Sequence, residues 1–70
     1  MKAYRIRIDN FDNGINIEKF FSTKDKAKEF FDDYRKGFSR EELKDNTSWY
    51  FVAERKDGTF YAILESVEIL

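Results

Sequence analysis

Between Phe21 and Ala27 the spacing of the apolar residues changes from two to three and four, and that switch limits the folds open to this chain. Before it, Tyr4, Ile6 and Ile8 alternate with Arg5, Arg7 and Asp9, and Ile15, Ile17 and Phe21 repeat the alternation on odd positions. A period of two puts one side of an extended chain in a core and the other in water, so both stretches read as half-buried strands. After the switch, Ala27, Phe30, Phe31, Tyr34 and Phe38 fall at i, i+3, i+4, i+7 and i+11. That spacing makes one stripe on a helix, with lysines and carboxylates on the other side. Strand chemistry returns at Trp49-Tyr50-Phe51-Val52-Ala53 and again from Phe60 to about Ile69.

The connections carry their own signals. Phe11-Asp12-Asn13-Gly14 has turn chemistry. A loop over 11–14 pairs Ile8 with Ile17 and Tyr4 with Phe21, whereas a two-residue Asn13-Gly14 loop would set Ile8 opposite Lys19, so the longer loop is preferred. Ser22 and Asp25 have capping-box spacing and predict a helix over 23–36, with Gly37 as a left-handed stop. Ser39 and Glu42 form a second capping box, and Phe38 with Leu43 has the spacing of a hydrophobic staple; together they predict a short second helix over 40–45. Asp45-Asn46-Thr47-Ser48 breaks it. A two-residue Asp57-Gly58 turn then joins the last two strands and pairs Val52 with Ile63 and Glu54 with Tyr61. The expected fold is one α+β domain over residues 1–70, a two-layer ββα(α)ββ sandwich with a four-stranded, mainly antiparallel sheet and one main helix on one face. The expected core is Tyr4, Ile6, Ile8, Ile17, Phe21, Ala27, Phe30, Phe31, Tyr34 and Leu64.

Composition narrows the chemistry. The 70 residues include no Cys and no His, so thiol chemistry, the commonest metal ligands and the usual near-neutral proton shuttle are missing. Asp9-Asn10-Phe11-Asp12-Asn13-Gly14 invites a calcium-loop reading, but Phe11 and Phe20 fall where oxygen ligands are needed, and a turn rich in Asp and Asn explains the run. The carboxylates Glu18, Glu54, Glu65 and Glu68 read as solvated strand faces, and Gly14, Gly37 and Gly58 form no phosphate loop. No cofactor, metal or catalytic residue is expected, and the chain is read as a non-enzyme. Lys24, Lys26, Lys28, Arg35, Lys36 and Arg40 interleave with Asp25, Glu29, Asp32 and Asp33, the pattern of a helix face laced with ion pairs. The formal net charge of -1 gives no global field for nucleic acid, and no apolar run suggests a leader or a membrane span, so a cytoplasmic location is expected.

The surplus lies on the sheet. One helix covers one face, so Arg5, Arg7, Asn16, Glu18 and Phe20 face away from it, joined by one of two sets from the second hairpin: Tyr50, Val52, Tyr61, Ile63 and Val67, or Trp49, Phe51, Phe60 and Leu64, which a three-residue bulged turn would mix. Either set leaves an aromatic group outside the helix-covered core. Soluble monomers rarely leave a large contiguous apolar patch bare, and Tyr with Arg is the composition of interface anchors. The expected contact residues are Arg5, Arg7, Phe20, Tyr50, Tyr61, Val67 and Ile69, for a protein partner or for a homodimer built on the open face or the last strand. The alternative function is single-stranded nucleic-acid binding, with bases stacked on the sheet aromatics and Arg5 and Arg7 on phosphates. The sequence pI of about 5.4 and the lack of a Gly-rich aromatic strand motif argue against it.

Residues 15–34, above all Phe21-Ser22-Thr23-Lys24-Asp25-Lys26-Ala27-Lys28-Glu29-Phe30, resemble a strand-to-helix junction found in small proteins of bacteria and their phages. The size, the absence of Cys and His and the paired hairpins look like small phage-encoded host-modulating proteins, including anti-CRISPR and other anti-defence inhibitors. The resemblance covers about a third of the chain. It implies a binding role in a host cytoplasm and no catalytic residue.

Overall fold

The computed structural model describes residues 1–68. A hairpin of β1 (Lys2–Asn10) and β2 (Ile15–Phe21) leads into helix α1 (Lys24–Arg35), and β3 (Leu43–Asn46), β4 (Tyr50–Arg55) and β5 (Gly58–Glu68) follow. All pairings are antiparallel, and the sheet order is β2-β1-β5-β4-β3. The first hairpin takes the register that the longer loop dictates, with Ile8 opposite Ile17 and Tyr4 opposite Phe21. Any slip by one residue would turn the isoleucines of β2 toward water.

The helix packs on the face that carries Ile6, Ile8, Phe51, Ala53, Phe60, Ala62 and Leu64, all buried. Ala27 and Phe31 are fully buried at the centre of the contact. Phe31 meets Phe51 at 5.3 Å between ring centroids, and Phe38, just past the helix, meets Phe51 at 5.6 Å and Phe60 at 5.2 Å. Of the expected core, Ile6, Ile8, Ala27, Phe31 and Leu64 are buried, while Tyr4, Ile17, Phe21, Phe30 and Tyr34 pack against that core half-buried. The helix lies over β1 and reaches edge strand β2, where the Phe30 ring meets Phe21 at 5.5 Å; these residues stay half-buried because no strand lies beyond β2. The ion-pair lacing of the helix is present: Lys28 and Arg35 each reach Asp32 at 3.7 Å, and Lys36 reaches Asp33 at 3.7 Å.

Both helix ends differ from the sequence expectation. Thr23, not Ser22, is the N-cap, extended at φ -127° and accepting a hydrogen bond from Lys26 N at 3.3 Å. Gly37 is not left-handed, since the positive-φ glycines are Gly14 and Gly58. The chain instead tightens, with Gly37 N donating to Tyr34 O at 3.1 Å and Phe38 N to Arg35 O at 3.0 Å, and this turn delivers Phe38 to the core.

The expected helix over 40–45 is replaced by a fifth strand. Both capping-box bonds do form, Ser39 N donating to Glu42 Oε1 at 2.7 Å and Glu42 N to Ser39 Oγ at 3.3 Å. Leu43 N then reaches Ser39 O at 3.2 Å, and the helical geometry stops after this one turn. Leu43 pairs with Ala53, Asp45 with Val52 and Asn46 with Phe51, across a bulge at Lys44. A helix this short does not repay its nucleation, whereas a strand here satisfies the outer backbone groups of β4.

Arg55 holds the corner. Its guanidinium lies 4.2 Å from the Phe38 ring centroid, Nε donates to Glu42 Oε2 at 3.1 Å and another nitrogen donates to the Gly37 carbonyl. The backbone hydrogen bond from Ser39, with Arg55 adding to it, holds the Glu42 carboxyl below the usual carboxylate range. Burial raises the Tyr34 phenol, with the positive Arg55 working in the opposite direction. Among the described residues no helix is long and apolar enough to cross a membrane.

Candidate functional site

The second hairpin decides what the open face presents. Its two-residue loop is Lys56-Asp57 rather than Asp57-Gly58, because Arg55 pairs with Gly58, Val52 with Tyr61 and Tyr50 with Ile63. The register thus differs by two residues from the expected one, and an even shift preserves the faces. Tyr50, Val52, Tyr61 and Ile63 remain together on the side away from the helix. Gly58 can open β5 because φ there is +129° and its missing side chain leaves room for Asn10 and Asp12.

Cross-strand pairing brings the other faces into line. Arg7 lies opposite Ile63, Asp9 opposite Tyr61, Arg5 opposite Glu65 and Ala3 opposite Val67. On the outer sides, Arg5 meets Phe20, Arg7 meets Glu18, and Asp45 meets Val52. The middle of the face is apolar. Phe11 extends it from the first loop, its ring 6.0 Å from that of Tyr61, and Trp49 extends it from the other end, edge-on to Tyr50 at 4.7 Å. Phe11 is 77 % exposed, Trp49 53 % and Tyr61 46 %, while Tyr50, Val52 and Ile63 between them are half-buried. A concavity of about 570 Å³ runs between Asp9, Trp49, Tyr50, Val52, Tyr61 and Ile63.

Charge surrounds this strip unevenly. The register puts Arg5 and Arg7 on the face against five carboxylates, Asp9, Glu18, Asp45, Glu54 and Glu65. Both arginines are engaged. Arg5 Nε donates to Glu65 Oε1 at 2.8 Å and Arg5 lies 3.7 Å from Glu18, while Arg7 lies 3.9 Å from Asp9. Among the described residues, Asp45 and Glu54 have no cation against them within ion-pair distance.

Of the expected contact residues, Arg5, Arg7, Phe20, Tyr50, Tyr61 and Val67 share this face, and Ile69 lies outside the described residues. Tyr50 and Tyr61 belong to the apolar strip. Phe20 stands apart on edge strand β2, with Arg5 and Glu65 between it and the tyrosines, and Val67 is half-buried beside the buried Ala3. The last strand is held by its own sheet, between β1 along its length and β4 up to Leu64, whose N–H donates to Trp49 O at 2.8 Å. A dimer made by edge pairing through Gly58–Ile63 is therefore closed off.

Sequence reasoning missed Phe11 and Trp49 as members of the strip. Phe11 was absorbed into the turn. Alternation groups Trp49 with Phe51, Phe60 and Leu64 and apart from Tyr50, but Trp49 precedes β4, in a turn where Thr47 Oγ1 accepts from Trp49 N at 3.3 Å and Tyr50 N at 3.0 Å. Alternation does not hold across such a turn, and the Thr47-x-Trp49 spacing of a hydroxyl turn was the available signal. The Asp/Asn run of the first loop is occupied structurally, with Asp12 Oδ2 accepting from Thr59 N at 3.2 Å and Asn13 Nδ2 donating to Asp57 at 3.1 Å. Among the described residues there is no group of three or more acidic side chains placed to hold a metal ion. No family model, curated protein or solved structure matches the chain.

Proposed function

We propose that this chain is a non-enzymatic protein-binding module that docks through the open face of its sheet, as a phage or mobile-element inhibitor of a host bacterial defence protein would. The observation that carries the docking reading is the apolar strip Phe11-Tyr61-Val52-Ile63-Tyr50-Trp49, drawn from three separate segments, of which all but Phe11 line one concavity. Aromatic side chains supply large contact area with little rotamer entropy to lose, and they dominate the energetics of interfaces. The inhibitor part of the reading rests on the resemblance of residues 15–34 and on the small size of the chain. Five carboxylates against two paired arginines speak against stacking of single-stranded nucleic acid on this face, because phosphates would be repelled.

The test is purification of the tagged chain from lysates of several bacterial hosts, beside a Tyr61→Glu variant that buries no new charge in the core. A stoichiometric protein recovered with the native chain and lost with the variant is expected. Recovery of no such partner from any host would overturn the reading.

A further inference from the structure

The charge around the strip narrows the chemistry of what docks there, an inference that rests on the docking reading above. We infer that the partner presents a basic amphipathic helix, with an apolar stripe laid along Tyr61, Ile63, Val52 and Tyr50 and with lysines or arginines on its flanks.

Three observations carry this. First, the surface is a face and not an edge: β4 and β5 are both paired here, so an added extended segment would find no free backbone groups, whereas a helix needs only an apolar furrow. The same sheet already accepts a helix on its other side through an aromatic stripe. Second, the dimensions agree. The molecule measures 40 × 23 × 15 Å, and a helix of about 14 residues spans roughly 21 Å, enough to cross it once. Third, the rim is acidic. Asp45 and Glu54 flank the strip on the β3–β4 side with no cation among the described residues against them, and Asp9 lines the concavity. A second copy of this chain laid face to face would bring carboxylates against carboxylates, and an acidic partner would do the same; a basic helix meets opposite charge along the β3–β4 flank and at Asp9.

Trp49 is the single tryptophan and lies at one end of the strip, so intrinsic fluorescence reports directly on docking. The full chain is titrated at low salt with a Leu/Lys peptide of about 14 residues patterned as an amphipathic helix. The probe for comparison is the Leu/Glu peptide of the same pattern. Saturable binding of one Leu/Lys peptide is expected, at least tenfold tighter than Leu/Glu and weakening with added salt. A double variant, Asp45→Lys with Glu54→Lys at two exposed positions, should narrow or reverse that preference, and circular dichroism checks that it folds. Equal affinity for the two peptides, or an unchanged preference in the double variant, would overturn the basic-helix inference and leave docking itself standing. Failure of both peptides to bind would overturn it too, and the lysate experiment with Tyr61→Glu decides the broader reading separately.

Discussion

A methyl group on Gly58 would stand 2.5 Å from Oδ1 of Asn10. Asn10 is fully buried, and that oxygen accepts from Asp12 N at 3.1 Å and Asn13 N at 3.3 Å, so it cannot yield without opening the first loop. Through Asp12, which receives Thr59 N, the loops of the two hairpins are locked to each other. Gly58→Ala combines this clash with a φ of +129° that an L side chain resists, and should cost about 2–4 kcal/mol. Urea denaturation reads the loss. A variant as stable as the native chain would show that the two loops do not approach as described.

Phe31 is fully buried between the helix and Phe51, whereas Phe30 is only half-buried against Phe21. Phe31→Ala should therefore cost about 3–5 kcal/mol and Phe30→Ala distinctly less, about 1–3 kcal/mol. Thermal melts of the two variants give the order, and a larger loss at Phe30 would contradict the placement of the helix.

Glu42 links stability to acid. Its carboxyl is held below the usual carboxylate range in the folded chain, first by the hydrogen bond from Ser39 N and then by Arg55. A group depressed in this way contributes stability that is complete above its unfolded pKa and is lost as pH falls through the folded one. Stability should decline on acidification below the ordinary glutamate range, and Glu42→Gln should flatten part of that decline while lowering stability near neutrality. Denaturation midpoints measured from pH 7 down to about pH 2 test both effects.

Tyr61 contributes to the open strip and little to the core, being 46 % exposed. Tyr61→Ser should change stability by no more than about 1 kcal/mol while weakening capture of any partner on that face. A melt and a binding measurement on the same sample separate the two. A large drop in stability would mean that the tyrosine serves the fold.

Self-association is decided by light scattering at micromolar concentration. The acidic rim predicts an 8.5 kDa monomer, because a face-to-face pair would oppose like charges across the apolar strip. A dimer that the Tyr61→Glu variant abolishes would instead give the strip to a second copy.

Much of this architecture was legible locally. The alternation through Tyr4, Ile6, Ile8, Ile15 and Ile17 determined the first hairpin and its register, because a slip of one residue exchanges its buried and wet faces. The stripe from Ala27 to Phe38 determined the helix and its buried side, and the same alternation in the second hairpin put Tyr50, Val52, Tyr61 and Ile63 on one surface despite a turn misplaced by one residue. Only the tertiary structure decided the rest. Residues 43–46 carry a capping box that forms and still become a strand, since the unpaired backbone of β4 offers more hydrogen bonds than one further helical turn. The insertion of β5 between β1 and β4 is a pairing over nearly the whole length of the chain, which no local spacing encodes. Trp49 and Phe11 reach the open strip from turns, where side-chain direction is set by hydrogen bonds to Thr47 and Asn10 and not by the period of a strand.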